Sequence, residues 1–187
     1  MNRKVIIIIG PPGCGKGTQI NLIEDKFPLQ VLEMGNILRN ISEENNKESR
    51  FIKSYLLKGK LLPDEYVLDI VENFILKSKK EILFFDGFPR YLSQAKSMEN
   101  IFNKYNINKY FALEIKIKNS EVLKRLKIRG RADDNPDTIK ARIKQYDERT
   151  KPLILYFNKI GILYDINGED TVENVHRSFC RVLSNIL

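Results

Sequence analysis

The most constraining feature of the sequence is the glycine-rich segment at residues 10–18, which reads GPPGCGKGT. It follows an apolar run at residues 5–9 and leads into an amphipathic stretch, so it fits the G-x-x-x-x-G-K pattern in the strand–loop–helix context that this pattern requires. Glycines allow successive backbone N–H groups to turn inward around an anion, and the following helix presents its N–H groups and positive dipole end. The segment therefore predicts a loop that binds the phosphates of a nucleotide.

Two side chains of this loop are expected to act on the ligand directly. Lys16 would bring a mobile positive charge to the β- and γ-phosphates. Gly17 separates Lys16 from Thr18, so Thr18 is the hydroxyl expected to hold Mg²⁺. Cys14 is expected to be a small residue that the loop tolerates, not a catalytic thiol.

Apolar, β-branched runs alternate with amphipathic stretches along the rest of the chain. Continuous apolar runs are typical of strands buried on both faces of a parallel sheet, and their alternation with helices indicates βαβ units. The predicted strands are residues 5–9, 30–33, 82–85, 111–117 and 162–166. The predicted helices are residues 16–27, 36–58 with interruptions, 64–78, 93–105, 120–129, 138–161 and 171–187. We therefore expect one α/β domain, residues 1–187, of the P-loop NTPase type: a five-stranded parallel sheet with helices on both faces.

The composition limits the remaining possibilities. No apolar run approaches the ~20 residues needed to span a bilayer, and no cleavage site follows the first one, which predicts a cytoplasmic protein without membrane contact. The two cysteines, Cys14 and Cys180, lack a metal-ligand spacing, so no structural zinc is expected. The net charge of +8 admits a nucleic-acid binder, but the basic residues are spread through the chain, which favours a basic surface that attracts small polyanions.

Further motifs follow the loop in order. They are MGNILR at residues 34–39, GKLLPD at 59–64, DGFPR at 86–90 with Gln94 after it, RGRADD at 129–134, and Arg142. Together with residues 13–19, these segments resemble adenylate kinases over essentially the whole chain. The resemblance implies a monomer that transfers a phosphoryl group reversibly from ATP to AMP, giving two ADP. It also implies a helical insertion at about residues 33–62 that binds the monophosphate, and a very short lid at about residues 128–134.

The resemblance also assigns roles to individual residues. Arg39 and Arg90 would hold the AMP phosphate, because a planar guanidinium binds phosphate through two hydrogen bonds. The residues implied for ATP are Gly13, Cys14, Gly15, Lys16, Gly17, Thr18, Arg125, Arg129 and Asp170. Those implied for AMP are Met34, Arg39, Lys60, Leu61, Leu62, Gly87, Phe88, Pro89, Arg90, Gln94, Arg131 and Arg142. The implied catalytic residues are Lys16, Arg90, Arg129, Arg131 and Arg142.

Asp86 and the acidic pair Asp133 and Asp134 complete the predicted site. Asp86 ends an apolar strand, and the carboxyl end of a parallel strand faces the ligand crevice. It would hold Mg²⁺ through water, beside Thr18. Asp133 and Asp134 would pair with arginines or bind ribose when the lid closes, with a plain acidic turn as the alternative.

Three positions depart from the family pattern. Met34 stands where adenylate kinases usually have a threonine that touches adenine, and a thioether cannot donate a hydrogen bond, so base selectivity is expected to be weaker or shifted. Asn36 replaces an aspartate and is expected to cap a helix equally well. Residues 129–131 leave no spacer between the lid arginines, which predicts a smaller flap that excludes water from ATP less completely.

Alternatives of three kinds remain. The carboxamide of Gln94 offers a donor and an acceptor that suit N6–H₂ and N1 of adenine, which favours AMP. Met34 leaves a UMP or CMP kinase open. A nucleotide-binding module without catalysis is disfavoured by the set of arginines. A nucleic-acid binder rests on net charge alone and would show salt-sensitive RNA or DNA binding.

Overall fold

The computed structural model describes residues 3–131 and 135–187. Within them the strands are β1 (Lys4–Ile9), β2 (Leu29–Glu33), β3 (Ile82–Asp86), β4 (Lys109–Lys116) and β5 (Leu163–Asn167). The α-helices are α1 (Lys16–Glu24), α2 (Met34–Glu43), α3 (Lys47–Leu57), α4 (Asp64–Lys77), α5 (Leu92–Lys104), α6 (Asn119–Arg129), α7 (Pro136–Gln145), α8 (Lys151–Lys159) and α9 (Val172–Ile186). A π-helical turn, Tyr146–Thr150, joins α7 to α8.

The strands form one parallel sheet in the spatial order β2-β3-β1-β4-β5. β1 lies at the centre, and its residues from Val5 to Ile9 are at most 4% exposed, as expected for a strand covered on both faces. This confirms the predicted α/β fold with a five-stranded parallel sheet. Each predicted strand lies within three residues of an observed one at both ends.

Neighbouring side chains of β3 show how the two faces are filled. The Phe85 ring contacts Phe74 of α4, with centroids 5.9 Å apart, and the Phe84 ring contacts Phe179 of α9, with centroids 6.1 Å apart. Successive residues of a strand point to opposite faces, so each phenylalanine serves a different core. α4, α5 and α8 contribute to the first core and α1 and α9 to the second. Burial of each such side chain contributes about 1.5–3 kcal/mol to the stability of the folded protein.

The parallel arrangement brings the carboxyl ends of the strands to one edge of the sheet. There Glu33, which ends β2, lies in register with Asp86, which ends β3, and Asp86 lies in register with Ile8 of β1. The glycine-rich loop leaves β1 two residues after Ile8. The topology thus places two carboxyl groups beside the loop.

The helix predicted at residues 138–161 is divided in the structure. α7 ends at Gln145, the π-helical turn carries residues 146–150, and α8 begins at Lys151. π-Helical turns are rare and are frequently found at functional sites. The predicted end is confirmed, because Gly161 follows α8 with φ +75°, a conformation that favours glycine after a helix.

The helix cap predicted at Asn36 is wrong by position. α2 begins at Met34, so Asn36 lies inside its first turn, where its side chain contacts Glu33 and Arg39 and no cap bond forms. The N-cap of α9 is Thr171, whose hydroxyl accepts from the Asn174 N–H, three residues on. Asp170 lies one residue too early for that bond.

The described residues contain no helix that is both long and apolar enough to cross a membrane.

Candidate active site

A cleft of about 1090 Å³ opens at the carboxyl edge of the sheet. Every residue predicted for the nucleotide and metal sites lines it, except Pro89, which is buried beside it. The cleft therefore gathers residues that lie up to 165 positions apart, from Gly10 to Val175. The structure brings the predicted set together in one place.

The glycine-rich loop forms one wall of the cleft. The Lys16 ammonium donates to the carbonyl oxygens of Gly10, at 2.9 Å, and Pro11, at 3.3 Å, so it lies along the loop. Gly15 has φ +103°, which strains any residue with a Cβ. Cys14 is 2% exposed and its thiol lies 3.5 Å from the Lys16 ammonium. The cysteine thus fills space beneath the loop.

Gly17 is a glycine that the protein's own packing does not require. A Cβ built on it would meet no atom within 4 Å, and Gly17 lines the cleft at the start of α1. Open space above the backbone N–H groups at a helix N-terminus is a suitable place for phosphate oxygens. The space that a Cβ would fill is the observation that fits a bound phosphate.

We expect the Gly17→Ala variant to lose affinity for ATP by about tenfold or more, because the added methyl group would occupy the phosphate space, while the free energy of unfolding stays equal or rises by up to about 1 kcal/mol. ATP titration and urea unfolding measure the two quantities. Gly161→Ala is the opposite control: it lies outside the cleft at φ +75°, so it should lose about 1–2 kcal/mol of stability and keep its ATP affinity. Unchanged ATP affinity in Gly17→Ala would contradict the placement of a phosphate at this position.

Arg125 of α6 is held beside the loop by three elements. Its guanidinium donates to the carboxylate of Glu121 at 2.9 Å, to the carbonyl of Gly168 at 3.0 Å, and to the carbonyl of Cys14 at 3.4 Å. A Cβ on Gly168 would lie 2.5 Å from the Ile115 side chain, so this backbone approaches β4 closely. The guanidinium therefore has a fixed position at the mouth of the loop.

Asp170 and Arg129 complete this side of the cleft. The Asp170 carboxylate accepts from the Thr171 N–H at 2.7 Å and from the Asn174 side chain at 2.8 Å. The bond from Asn174, followed by the bond from Thr171, lowers the pKa of Asp170. Arg129 is the last residue of α6 and is half-buried.

The acidic edge of the cleft contains Asp86 and Glu33. Desolvation raises the pKa of the Glu33 carboxyl, and the neighbouring charges of Asp86 and Glu24 raise it further, whereas Arg39 and Arg131 oppose the rise. Among residues 3–131 and 135–187 there is no cluster of three or more His, Cys, Asp or Glu side chains arranged to hold a metal ion. Oxygen donors that could face a magnesium ion are the Thr18 hydroxyl and these two carboxyl groups.

The opposite wall of the cleft carries the predicted monophosphate arginines. The Arg90 Nε donates to the Gly87 carbonyl at 2.9 Å, and the Arg90 carbonyl accepts from the Thr150 hydroxyl at 3.0 Å. Protein surrounds the Arg90 guanidinium, although the cleft leaves it open to water, and desolvation lowers its pKa. Asp86 opposes this effect, and Arg142 adds to it.

Arg39 is placed by a chain of side chains in α2. Its guanidinium donates to the Asn36 oxygen, and the Asn36 amide in turn donates to the Glu33 carboxylate. An aspartate at position 36 would face the Glu33 carboxylate with a like charge. Asn36 can therefore donate to Glu33 without repulsion, and it holds the Arg39 guanidinium in place through its oxygen.

The residues of the predicted adenine pocket line the same cleft. Met34 is 3% exposed and Leu62 is 4% exposed, and both line the cleft. The Lys60 N–H already donates to the Tyr55 carbonyl at 2.9 Å, so of its two backbone groups the carbonyl is the one left to meet a base. Gln94 is 2% exposed and has a hydrogen bond at each end of its carboxamide.

Residues 132–134, and with them the predicted roles of Asp133 and Asp134 and most of the predicted lid, lie outside the described residues.

Some residues of the cleft and its supports were not given a role by the sequence. Glu33 ends a predicted strand and could have been found by the argument that identified Asp86. Asp64 belongs to the GKLLPD motif, but nothing in the sequence shows that its carboxylate contacts Gln94. Tyr91 also contacts Asp64, and no sequence signal marks it.

The known proteins similar to this chain are adenylate kinases. The model of the family described as adenylate kinase matches residues 8–162. The chain is 35% identical over 187 residues to an adenylate kinase of Parabacteroides distasonis, an alignment that covers 97% of this chain and 98% of the relative. It is 39% identical over 173 residues to an adenylate kinase of Prochlorococcus marinus, with 92% and 94% covered. An adenylate kinase of Leptospira biflexa is 34% identical over 177 residues, with 92% and 95% covered.

Proposed function

The chain belongs to the adenylate kinase family, and on that premise we propose how its cleft divides between two nucleotides. The protein is a phosphotransferase that converts ATP and AMP reversibly into two ADP. One observation carries the proposed division: two cationic regions, the loop around Lys16 and the pair Arg39 and Arg90, line the same cleft. Two polyanions can react there only if fixed cations offset their repulsion.

ATP would occupy the side of the glycine-rich loop. The loop N–H groups and Lys16 would hold its β- and γ-phosphates, and the open space above Gly17 supports that position. Arg125, fixed by its bonds to Cys14 and Gly168, would border the nucleoside part together with Asp170.

AMP would occupy the opposite side. Arg39 and Arg90 would bind its phosphate, and Gly87 and Phe88 would border it. The base would lie between Gln94 and the segment from Lys60 to Leu62, with Met34 against it. Pro89 does not line the cleft, so we propose that it shapes the Arg90 turn without touching AMP.

Catalysis would consist of positioning and charge stabilisation. Direct in-line transfer needs no covalent intermediate, and the family resemblance implies no general base. Arg129, Arg131 and Arg142 line the cleft with Arg90, and we propose that they surround the transferred phosphoryl group. Their charges would give the strongest stabilisation in the transition state, where negative charge spreads over the phosphoryl oxygens.

Magnesium is the implied cofactor, and the oxygen donors beside the loop suit it. Mg²⁺ prefers oxygen ligands and keeps several waters, and Thr18 and Asp86 supply a hydroxyl and a carboxylate. When bound, it would neutralise charge on the β- and γ-phosphates. We propose that Thr18 contacts it directly and that Asp86 orients its water, with Glu33 adjacent in register.

The segments that close on the substrates, the oligomeric state and the location are also proposals. The helices α2 and α3 would form the monophosphate-binding insertion at about residues 33–62, and the lid would span about residues 128–134. The protein would act as a monomer, which is supported by the presence of all the proposed ligand-binding residues in one chain, and it would be located in the cytoplasm.

A coupled assay that offers ATP with AMP, UMP, CMP, GMP or dTMP tests the function. We expect AMP to give the highest kcat/KM, at least about tenfold above UMP, GMP and dTMP, because their bases present an oxygen and an N–H where adenine presents its amino group and N1. A higher kcat/KM for UMP or CMP would show that the enzyme acts on a pyrimidine nucleotide. Absence of turnover with every monophosphate, despite ATP binding, would favour a non-catalytic module.

A further inference from the structure

The carboxamide of Gln94 lies between two partners of opposite hydrogen-bonding character. Its oxygen accepts from the backbone N–H of Arg90 at 2.8 Å, and its nitrogen donates to Asp64 Oδ1 at 3.0 Å. The backbone N–H can only donate and the carboxylate oxygen can only accept. Gln94 is 2% exposed, so water does not compete freely for these bonds.

These partners fix which end of the carboxamide is oxygen. In a flipped carboxamide the NH₂ group would face the Arg90 N–H, and the carbonyl oxygen would face the Asp64 carboxylate. Both contacts would be repulsive, and each buried polar group left without a partner costs about 1–3 kcal/mol. The orientation therefore follows from the chemistry of the neighbours, and does not depend on how the two atoms are assigned.

Asp64 is itself held in place by other groups. The Tyr91 hydroxyl donates to Oδ1, the oxygen that Gln94 uses, and the Ser93 hydroxyl lies 3.4 Å from Oδ2. Desolvation, with the hydrogen bond to Asp64, raises the pKa of Tyr91 to about 12, so this hydroxyl remains a donor at neutral pH. The Arg149 guanidinium lies 5.2 Å from the centroid of the Tyr91 ring. Asp64 thus belongs to a supported network.

We propose that Asp64 is a positioning residue that sets the base selectivity of the monophosphate site by fixing the Gln94 carboxamide. The proposal rests on the function proposed above. In the fixed orientation, the groups that can meet the base are the second lone pair of the Gln94 oxygen and the second proton of its nitrogen, which also lies near the Tyr91 hydroxyl. Adenine presents N6–H₂ to that oxygen and N1 to that proton. Hypoxanthine, guanine and uracil present the reverse pattern, an oxygen and an N–H, and are opposed at both positions.

This arrangement matters more because of Met34. The thioether cannot donate a hydrogen bond, so Gln94 remains the side chain on this wall suited to read the amino group of the base. A carboxamide that could turn over would accept either pattern. Asp64, 30 residues away in sequence, removes that freedom.

A pair of substitutions at Asp64 tests the proposal with AMP and IMP, which differ only at C6 and the N1 proton. Asp64→Asn keeps an oxygen that can accept from Gln94 and Tyr91, and its amide can donate to Ser93. Asp64→Leu has a similar shape and no acceptor. We expect the ratio of kcat/KM for AMP to that for IMP to fall by about tenfold or more in Asp64→Leu, and to stay within about threefold of the wild-type ratio in Asp64→Asn.

Further variants separate the possible outcomes. Lys96→Ala changes an exposed residue of α5 that does not line the cleft, and should leave the ratio unchanged. If Asp64→Leu does not fold, Asp64→Ala is measured against the same threshold. A folded variant without the acceptor that keeps the wild-type ratio overturns the proposal, and so does an equal loss in Asp64→Asn. Absence of AMP phosphorylation by the wild-type protein would instead overturn the proposed function, and the ratio in Gln94→Leu shows whether Gln94 reads the base at all.

Discussion

Replacing Lys16 with methionine is expected to lower kcat for ADP formation by about 10³-fold. The ammonium is the charge of the loop that can move from the Gly10 and Pro11 carbonyls to the phosphates of ATP. In the transition state the ammonium would stabilise the negative charge on the phosphates more strongly than any backbone N–H group of the loop can. Methionine preserves the length and the apolar stem of the side chain, so the change removes mainly the charge.

The same substitution should leave the fold intact. It removes two hydrogen bonds to loop carbonyls, each worth about 0.5–1.5 kcal/mol, and the rest of the loop packs through Cys14 and the buried strand β1. The coupled assay and urea unfolding measure the two effects. Lys96→Met removes an exposed lysine of α5 that does not line the cleft, and should change neither. A folded Lys16→Met variant with kcat within about tenfold of wild type would contradict the role given to Lys16.

The sequence predicted the sheet well because its strands are buried on both faces. Such strands appear as continuous apolar runs, of which residues 5–9 are the clearest, and their parallel order places every carboxyl end at one edge. That single geometric consequence accounts for the position of the loop and of Asp86. The same reasoning, applied to the weaker strand β2, would have identified Glu33.

Other features depend on contacts between distant segments and leave no local pattern. Gln94 was predicted from its motif, but its bond to Asp64 joins the start of α4 to α5. Arg125 was predicted from resemblance, while the carbonyls of Cys14 and Gly168 that hold it come from two separate loops. Asn36 was interpreted as a helix cap, because its neighbour Glu33 could not be known to accept its amide.

The second large effect is expected at Arg90, where alanine should lower kcat/KM for AMP by about 10³-fold and change the affinity for ATP little. Protein surrounds the Arg90 guanidinium and lowers its pKa by desolvation, but the residue is open to the cleft, so an anion can reach it and replace the water there. Arg142 is close enough to act on the same pKa, and a phosphate bound between the two would relieve their repulsion. Arg90→Lys retains a charge without the planar fork and should recover only part of the activity.

The comparison of ATP and AMP parameters distinguishes this role from a structural one. Arg90→Ala removes the bond from Nε to the Gly87 carbonyl, but the bond from Thr150 to the Arg90 carbonyl is a backbone contact and remains. Stability should therefore fall by no more than about 1.5 kcal/mol in urea unfolding. Arg181→Ala, at an exposed position of α9 outside the cleft, controls for the loss of one positive charge and should keep wild-type kinetics. Near-normal turnover of AMP in a folded Arg90→Ala variant would show that the monophosphate site has been placed on the wrong wall of the cleft.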